Sequence, residues 1–440
     1  MGAGQPSRIR IAHTLHFICH SLSFGRSRAD LSRAAHVTSS TDWFYSGGHA
    51  RDTTTNMERA GPLLGVRVLE VGNFIAGPFA GQLLGDYGAE VIKIESPNGG
   101  DPMRRWGVTV GGDSLFWPTI ARNKQSVAAD LKDPDDLAMV QRLSRECDVL
   151  LENFRPGLLK RFGLDYATLS IDHPGIILTH VSGFGQTGPR AAEAGFGSIG
   201  EAFGGIRHTT GDPDRPPARA GVSLGDSLAA LFAVIGTLAA LHERTTSGRG
   251  QEVDVAIYEA VAALMESSMA DYAVEGILRN RSGGTLRGVA PSNAYPTSDR
   301  SDVLIAANAD AIFRRLCAAM GQPELAEDER FTTHSARGAN EHELDELIGD
   351  WTKKRTGDEL LRLMKQHSVP AERVFTAAEM IDDPHYLARG MVQLITSRQG
   401  IELPTLGVVP KFSRTPGSIN DVGPLLGEHT ERHRQGDKTA

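Results

Sequence analysis

Cysteine is scarce in this chain of 440 residues. Its three cysteines, Cys19, Cys147 and Cys317, lie far apart, and none belongs to a Cys-x-x-Cys pair. Disulfide frameworks and structural zinc sites both depend on cysteines in paired, closely spaced positions. The sequence therefore predicts neither a disulfide framework nor a metal site, and it indicates a reducing compartment.

An excess of positive charge and a long hydrophobic run are also lacking. The formal net charge is -8, whereas a nucleic-acid partner favours a basic surface. No apolar run reaches the roughly 18 residues that a membrane helix needs. Hydrophobic residues make up 40% of the chain and charged residues 23%, which is typical of a globular protein with a sizeable core. We expect no nucleic-acid partner and no membrane association.

Residues 1–60 differ in composition from the rest of the chain, because they are rich in arginine, serine and threonine and poor in acids. Two interpretations stay open. The segment is either a mitochondrial transit peptide, which has this composition, or an upstream extension that is not normally translated, with Met57 as the true start. The first implies the mitochondrial matrix and the second a cytoplasmic protein. In both, residues 1–60 lie outside the fold.

Residues 65–95 have the pattern of a strand, a helix and a second strand. Pro78 opens the predicted helix, where its missing N–H costs nothing. The unit resembles a dinucleotide-binding fold, but its glycines do not follow the G-x-G-x-x-G spacing; they are Gly72, Gly77 and Gly81. The pattern is Rossmann-like without implying a dinucleotide cofactor.

Strand and helix patterns continue to alternate up to residue 181, which predicts a mostly parallel sheet with helices on both faces. A formal G-x-G-x-x-G at residues 183–188 is followed by Pro189 rather than by a helix, so we interpret it as a mobile surface loop. Residues 252–277 are largely apolar and predict a second long helical region.

The domain organisation follows from these patterns. We predict a large Rossmann-like domain at residues 61–280, a glycine-containing linker at 281–293 and a smaller inserted α+β domain at 294–377. Residues 378–430 are predicted to return to the large domain, and residues 431–440 to form a tail.

A long apolar segment lies within residues 221–251. Beyond Asp226 it is apolar on all sides of a helix for about four turns, which predicts a buried core helix. Ser223 and Asp226 have the spacing of a capping box with Asp in place of Glu, and a carboxylate in the first turn suits the helix dipole. On spacing alone, Asp226 caps the helix, and a catalytic role needs other support.

Seven phrases occur in a specific order between residues 61 and 430. They are VRVLEVGNFIAGPFAGQLLGDYGAEVIKIESP, RNKQSVAADLKDPD, DVLLENFRPG, GIILTHVSGFGQTGP, GVSLGDSLAALFAVIGTLAAL, SGRGQEVDVAIYEA and PLLGEHT. Each phrase is weak alone, but together they resemble the class III CoA-transferases, the formyl-CoA and carnitine CoA-transferase type, to which the α-methylacyl-CoA racemases are related.

This resemblance implies a fold, an assembly and an activity. The fold is a Rossmann-type large domain built from both ends of the chain with an inserted small domain, and the assembly is a homodimer of interlocked chains. The activity is transfer of CoA from an acyl-CoA donor, with succinyl-CoA as a candidate, to a small carboxylic acid. Coenzyme A esters are then the substrates, and no cofactor is bound permanently.

The resemblance also assigns roles to residues. The family nucleophile falls on Asp226, which would form an aspartyl anhydride and then an enzyme–CoA thioester. These intermediates hydrolyse readily, so the site must exclude water. Glycine lets backbone N–H groups approach a reacting oxygen, which makes Gly283 and Gly284 candidates for a closing loop; the alternative is an ordinary linker.

Five positions in or close to the matching phrases are candidates for binding CoA. Asn153 and Phe154 follow a strand, at the carboxyl edge of the sheet, where α/β folds bind ligands. Arg161 and Lys132 are candidates for contacts with the CoA phosphates, and Ser96 for a further contact.

The chain departs from the family pattern at residues 195–197. Many relatives carry an acid where this chain has Gly197; Glu201, one helical turn later, is the candidate to replace it as a secondary catalytic residue. The racemases carry a His-Asp pair where this chain has Phe196 and Gly197, and racemisation needs such groups to exchange the α-proton. A racemase and a non-catalytic CoA-binding protein are the alternatives to a transferase.

Overall fold

Strands and helices alternate through much of the chain in the computed structural model, which describes residues 61–435. The expectations for residues 1–60 and 436–440 lie outside this range. The strands are β1 (Arg67–Val71), β2 (Glu90–Glu95), β3 (Thr109–Val110), β4 (Asp113–Ser114), β5 (Lys124–Ala128), β6 (Val149–Glu152), β7 (Ile177–Ser182), β8 (Glu252–Ala256), β9 (Ser292–Pro296), β10 (Asp302–Ala306), β11 (Ala371–Arg373), β12 (Val392–Thr396) and β13 (Glu402–Leu406). The helices are α1 (Ala76–Asp86), α2 (Trp117–Ile120), α3 (Pro134–Glu146), α4 (Tyr166–Asp172), α5 (Gly197–Phe203), α6 (Ile206–Thr209), α7 (Leu224–Ser247), α8 (Ile257–Ala262), α9 (Ser268–Glu275), α10 (Asp310–Met320), α11 (His334–Ala339), α12 (Glu341–Thr352), α13 (Gly357–Gln366), α14 (Ala377–Asp382), α15 (Pro384–Ala388) and α16 (Thr430–Gln435).

Six parallel strands form the central sheet, in the order β5-β2-β1-β6-β7-β8. Counted along the chain, these are the third, second, first, fourth, fifth and sixth strands of the sheet, which is the order of the dinucleotide-binding fold. The predicted α/β class with a mostly parallel sheet is therefore confirmed. The order reverses between β1 and β6, and sheets of this kind bind ligands beyond the carboxyl ends of the strands at such a reversal.

Helices cover both faces of this sheet, as the alternating pattern predicted. Side chains alternate along a strand, so neighbouring residues of β1 serve different cores. Val68 packs with helices α1 and α7, whereas Leu69 packs with helices α3 and α4 on the opposite face. The central strands are thus buried on both sides.

Helix α7 is buried on one side only, in contrast to the prediction of a fully buried core helix. Ala229, Ala230 and Ala233 are fully buried against the sheet, but Leu231 is 45% exposed and Ile235 is 59% exposed. The helix is also long and apolar enough to cross a membrane by length and composition alone, with a mean hydropathy of 1.9. The sequence had predicted no such segment. Core helices of soluble proteins pass the same criteria, and the alanine side of α7 packs as a core helix does.

The prediction of one helical region at residues 252–277 is wrong. Residues Glu252–Ala256 form strand β8 beside β7, and the helices α8 and α9 follow it. The sequence EVDVA alternates polar and apolar residues with period two, which suits a strand at the edge of a sheet. Val255 is buried while Asp254 faces outward, as this alternation requires.

A second, antiparallel sheet of β9, β10 and β11 lies in the order β11-β10-β9 with a core of its own. Val303, Ile305 and Phe313 of this core are at most 2% exposed, and helices α10, α12 and α13 contribute to it. The domain boundaries drawn from the sequence stay predictions.

The end of the described chain returns to the six-stranded sheet. The Tyr87 hydroxyl donates a hydrogen bond to the Val409 carbonyl, and the His433 imidazole hydrogen-bonds to Gln125. His433 lies in helix α16, so residues 431–435 of the predicted tail are helical. The helix forms there because burial of His433 against β5 anchors it.

Candidate active site

The loops that follow β1 and β6 meet at the reversal of strand order. Asn153, directly after β6, accepts a hydrogen bond from the Asn73 N–H at 2.9 Å and donates one to the Asn73 carbonyl at 2.8 Å. Its amide therefore ties the two loops together. A cavity of about 540 Å³ opens at this point, as the fold predicts for a ligand site.

The glycines near β1 are explained by this clamp rather than by a bound pyrophosphate. A Cβ at Gly72 or Gly77 would press against the Asn153 amide, and a Cβ at Gly81 would come within 2.0 Å of a Glu70 carboxylate oxygen. Close contacts with the Asn153 and Glu70 side chains therefore explain why Gly72, Gly77 and Gly81 stand at a spacing that differs from G-x-G-x-x-G.

Asp226 lies in the same cavity as Asn153 and Phe154. It is in the first turn of α7, and the wall beside it includes Gly197 and Arg219. The structure therefore brings together the predicted nucleophile and the two residues expected to lie beside CoA.

The surroundings of Asp226 oppose its negative charge. Burial, together with the nearby negative charge of Glu201, raises the pKa of Asp226 from 3.8 to about 6. Arg219 and a hydrogen bond from the Gly197 backbone act in the opposite direction and keep the shift from being larger. At pH 7 the group is mostly ionised, but it is a less stable anion than an exposed aspartate. Perturbed carboxylates in clefts are characteristic of reactive sites.

Gly197 approaches Asp226 so closely that no side chain fits there. A Cβ at this position would lie 2.3 Å from one Asp226 carboxylate oxygen. The absence of an acid at residue 197 is therefore tied to the position of Asp226, because a larger residue would displace the carboxylate.

Glu201 lies behind Asp226 and is 1% exposed. One of its oxygens accepts a hydrogen bond from Arg207 at 2.8 Å, and the other accepts one from the Gly225 N–H at 3.2 Å. Ser223 makes no capping hydrogen bond, so the capping box predicted for residues 223–226 does not form. A buried carboxylate from α5 instead satisfies an N–H group in the first turn of α7, next to Asp226.

Comparison with known proteins identifies the family. Residues 63–430 match the family model described as CoA-transferase family III. The chain belongs to this family. It is therefore a class III CoA-transferase, as the sequence phrases indicated.

Three relatives illustrate the similarity. The chain is 55% identical over 369 residues to the succinyl-CoA–D-citramalate CoA-transferase of Chloroflexus aurantiacus, covering 84% of this chain and 92% of the relative. It is 37% identical over 378 residues to the succinate–glutarate CoA-transferase of Agrobacterium fabrum, covering 84% and 94%. A crystal structure of a CAIB/BAIF family protein from Brucella suis matches with a TM-score of 0.75 and 36% identity, covering 86% of this chain and 99% of that one.

The other predicted site residues of this transferase do not line the cavity. Arg161 lies in a 3₁₀ turn at Leu159–Phe162, Lys132 precedes α3 and Ser96 follows β2; all three are exposed. Their assignment to CoA stays a prediction.

The two candidate glycines also lie away from the cavity in this structure. The Gly283 N–H donates to the Gly211 carbonyl at 3.0 Å, so it is not available to a reacting oxygen in this conformation. A Cβ on Gly284 would meet the Asn293 side chain rather than Asp226. A role for these glycines in closing the site would require the loop to move, and it stays a prediction.

A cluster of buried charges beneath the cavity was missed by the sequence reasoning. Glu70 is fully buried and pairs with Lys93 and Lys124, each at 2.8 Å. Lys93 also pairs with Asp101 at 2.9 Å, and Asp101 accepts a hydrogen bond from the Phe74 N–H in the cavity wall. The cluster therefore fixes the loop after β1 from below. The available signal was Glu70 and Lys93, each a charged residue within a predicted strand.

Two arginines in the cavity wall were also missed. Arg155 directly follows the Asn153-Phe154 pair, and Arg219 precedes Asp226 by seven residues. Both side chains are exposed; Arg155 lies in the phrase DVLLENFRPG, and Arg219 lies two residues before the phrase that contains Asp226. Their position in the cavity could not be read from the sequence, because it depends on how the loop before α7 folds back.

The described residues contain no group of three or more His, Cys, Asp or Glu side chains that could hold a metal ion. Cys147 and Cys317 are buried and unpaired, and Cys19 lies outside the described range.

Proposed function

We propose that the protein transfers CoA from succinyl-CoA to a small carboxylic acid, with Asp226 as the nucleophile. The observation that carries the proposal is the place of Asp226 beside Asn153 and Phe154 in one cavity at the reversal of strand order. The donor is inferred from relatives whose names specify succinyl-CoA, among them the 55% identical D-citramalate transferase. Dicarboxylic acids of that kind are the acceptors we expect.

The chemistry that we propose balances without any further reagent. An Asp226 carboxylate oxygen attacks the thioester carbonyl, the C–S bond breaks, and the CoA thiolate leaves with the electron pair. The thiolate then attacks the Asp226 carbonyl of the mixed anhydride, releasing succinate and leaving CoA attached to the enzyme as a thioester. The acceptor carboxylate reverses both steps and leaves as its CoA ester.

No proton is transferred in this sequence, which suits the composition of the cavity. Its wall contains no histidine among the residues that the structure describes. A racemase needs groups that remove and return the α-proton. Phe196 and Gly197 provide neither, so this observation favours the transferase over the racemase.

The buried position of Glu201 supports Asp226 rather than Glu201 as the nucleophile. Glu201 is 1% exposed and both of its oxygens already accept hydrogen bonds. Asp226 makes no ion pair with any described residue and borders the cavity. We assign Glu201 a positioning role through the Gly225 N–H.

The test is to trap the enzyme–CoA intermediate. We expect the chain incubated with succinyl-CoA alone to carry covalently bound CoA, and peptide mapping by mass spectrometry to find it on Asp226. Asp226→Asn should carry none, whereas Asp350→Asn, a change at an aspartate whose side chain is 74% exposed, should behave as the wild type. CoA on the Glu201 peptide would refute the assignment.

We also propose that the protein is a homodimer of interlocked chains. The exposed side of α7 and the segment after α8 present large apolar side chains: Leu231, Phe232, Ile235, Met269, Val274 and Ile277. Apolar patches of this extent on a soluble chain favour a protein partner. If the chains interlock, mixing tagged and untagged dimers should give no heterodimer within minutes, because exchange requires unfolding. Rapid heterodimer formation would contradict interlocking.

We further propose that the protein acts in the cytoplasm. The alternative is the mitochondrial matrix, if residues 1–56 serve as a transit peptide. CoA esters are proposed as substrates rather than as a permanently bound cofactor, and neither a nucleic acid nor a membrane is proposed as a partner. The proposal on CoA esters rests on the family and its relatives, and the others rest on composition and charge.

A further inference from the structure

Two guanidinium groups in the cavity wall have no partner of their own. Arg155 and Arg219 are exposed, and neither forms an ion pair or a side-chain hydrogen bond with another described residue. Most other arginines near the site are occupied: Arg207 pairs with Glu201, and Arg190 pairs with Glu193. Unpaired arginines in a cleft are suited to bind anionic groups of a substrate, because a guanidinium can hold a carboxylate or a phosphate with two hydrogen bonds.

The two arginines lie on different loops of the cavity wall. Arg219 is close enough to Asp226 for its charge to favour the ionised carboxylate, whereas Arg155 has no such effect. Arg155 lies directly after Phe154, on the loop that follows β6. Arg219 therefore comes from the loop that leads into α7, whose first turn holds Asp226, and Arg155 comes from the loop that carries Asn153 and Phe154.

A dicarboxylic acid brings a second negative charge into this cavity. One carboxylate forms the anhydride, while the other remains charged beside Asp226 and the buried Glu201. Without a cation the second carboxylate would be repelled by these acids and partly removed from water at an uncompensated cost. Arg155 and Arg219 are the unpaired arginines among the described residues of the cavity wall, and Arg219 is the one whose charge acts on Asp226.

We propose that Arg219 forms a subsite for the remote carboxylate of the acyl group and thereby selects dicarboxylic over monocarboxylic acids. This inference rests on the proposed function. Arg219 is a binding residue in this proposal and takes no part in bond formation. Arg155 binds an anionic group of CoA, which every substrate shares, so it contributes affinity without selecting the acid.

The test compares two donors that differ at one group. Succinyl-CoA carries a terminal carboxylate where butyryl-CoA carries a methyl group. The quantity measured is the second-order rate constant for formation of the enzyme–CoA adduct, for wild type, Arg219→Gln, Arg219→Lys, Arg155→Gln and Arg215→Gln. Arg215 is the matched control, because it lies in the same loop with a side chain 79% exposed and is not part of the cavity wall.

We expect Arg219→Gln to slow the reaction with succinyl-CoA by roughly 10- to 100-fold and that with butyryl-CoA by less than about threefold, from the usual strength of charge-assisted hydrogen bonds. Arg219→Lys should retain part of the preference, because a point charge still attracts the carboxylate. Arg155→Gln should slow both donors by the same factor, and Arg215→Gln neither.

Two outcomes would overturn the subsite and are distinct from failure of the proposed function. Arg219→Gln could slow both donors equally, which would make Arg219 a general binding or structural residue, or it could slow neither. If the wild type formed no adduct with either donor, the proposed function itself would fail, and the subsite with it.

Discussion

The fold shifts the pKa values of two carboxylates in opposite directions, lowering that of Glu70 and raising that of Asp226. Glu70 is fully buried between Lys93 and Lys124, and although burial opposes its charge, the two lysines outweigh burial and lower its pKa. Asp226 is only partly buried, yet its pKa is raised to about 6, because burial and the charge of Glu201 act together and outweigh the opposing effect of Arg219 and the Gly197 backbone.

The difference separates a structural acid from a reactive one. A carboxylate held between two ammonium groups is stabilised as an anion and therefore has little tendency to share its electrons. A carboxylate that is partly desolvated beside another acid is a less stable anion and a better nucleophile. The deeper group is thus the inert one, and burial alone does not identify the reactive site; the balance of neighbouring charges does.

The largest expected effect is loss of the reactive carboxylate. Asp226→Asn should lower kcat/KM for CoA exchange by about four to six orders of magnitude, because an amide cannot form the anhydride on which both half-reactions depend. Exchange of labelled CoA into succinyl-CoA measures it. Retention of more than a hundredth of the activity would place the chemistry on another residue.

Loss of the structural carboxylate should affect stability instead. Glu70→Gln leaves Lys93 and Lys124 buried with one countercharge fewer, which should lower the free energy of unfolding by about 3–5 kcal/mol. Urea unfolding monitored by circular dichroism measures it. Glu431→Gln, at a side chain that is 73% exposed, should leave the midpoint unchanged. An unchanged midpoint in Glu70→Gln would mean that the lysines are not held by this acid.

Only one side of this comparison could be predicted from the sequence. Asp226 was assigned through its phrase, and the sheet through the alternation of strands and helices, because both depend on local pattern. Glu70 lies in β1 and its two partners lie in β2 and β5, and no local spacing links Glu70 to Lys124. Strand β8 was missed for a different reason, because its five alternating residues run directly into the apolar start of helix α8.

The pH dependence of the reaction tests the raised pKa directly. Protonated Asp226 cannot attack a thioester, so kcat/KM should fall by about tenfold per pH unit as the pH drops below about 6. Steady-state rates between pH 4.5 and 8, at about constant ionic strength, would measure this limb. A limb centred near the ordinary aspartate value of 3.8 would remove the contrast with Glu70.

The raised pKa of Asp226 also affects folding stability: ionisation of Asp226 favours the reaction but destabilises the folded state. Because the folded state raises the pKa of Asp226, its ionised form costs stability, and this cost grows as the pH rises from 3.8 to about 6 and is fully present above that range. Asp226→Asn should therefore be more stable than the wild type at pH 7, by about 1–2 kcal/mol after allowance for partial exposure. The gain should vanish near pH 4. If the difference in free energy of unfolding between Asp226→Asn and the wild type did not change with pH, the gain would come from packing and not from the raised pKa.

The smallest effect concerns Glu201, which connects the two kinds of carboxylate. It is buried and paired like Glu70, yet its charge is one of the causes of the raised pKa of Asp226. Glu201→Gln removes that charge and keeps an oxygen that can accept from the Gly225 N–H. The acidic limb of kcat/KM should therefore move to lower pH, but by less than the whole shift, because burial remains the larger cause.

Transfer should slow while the adduct on Asp226 stays detectable, since Glu201 positions the nucleophile and does not react. If transfer slowed in Glu201→Gln but the acidic limb of kcat/KM did not move, Glu201 would act only by holding the start of α7. If the adduct were abolished, Glu201 would act in the chemistry itself.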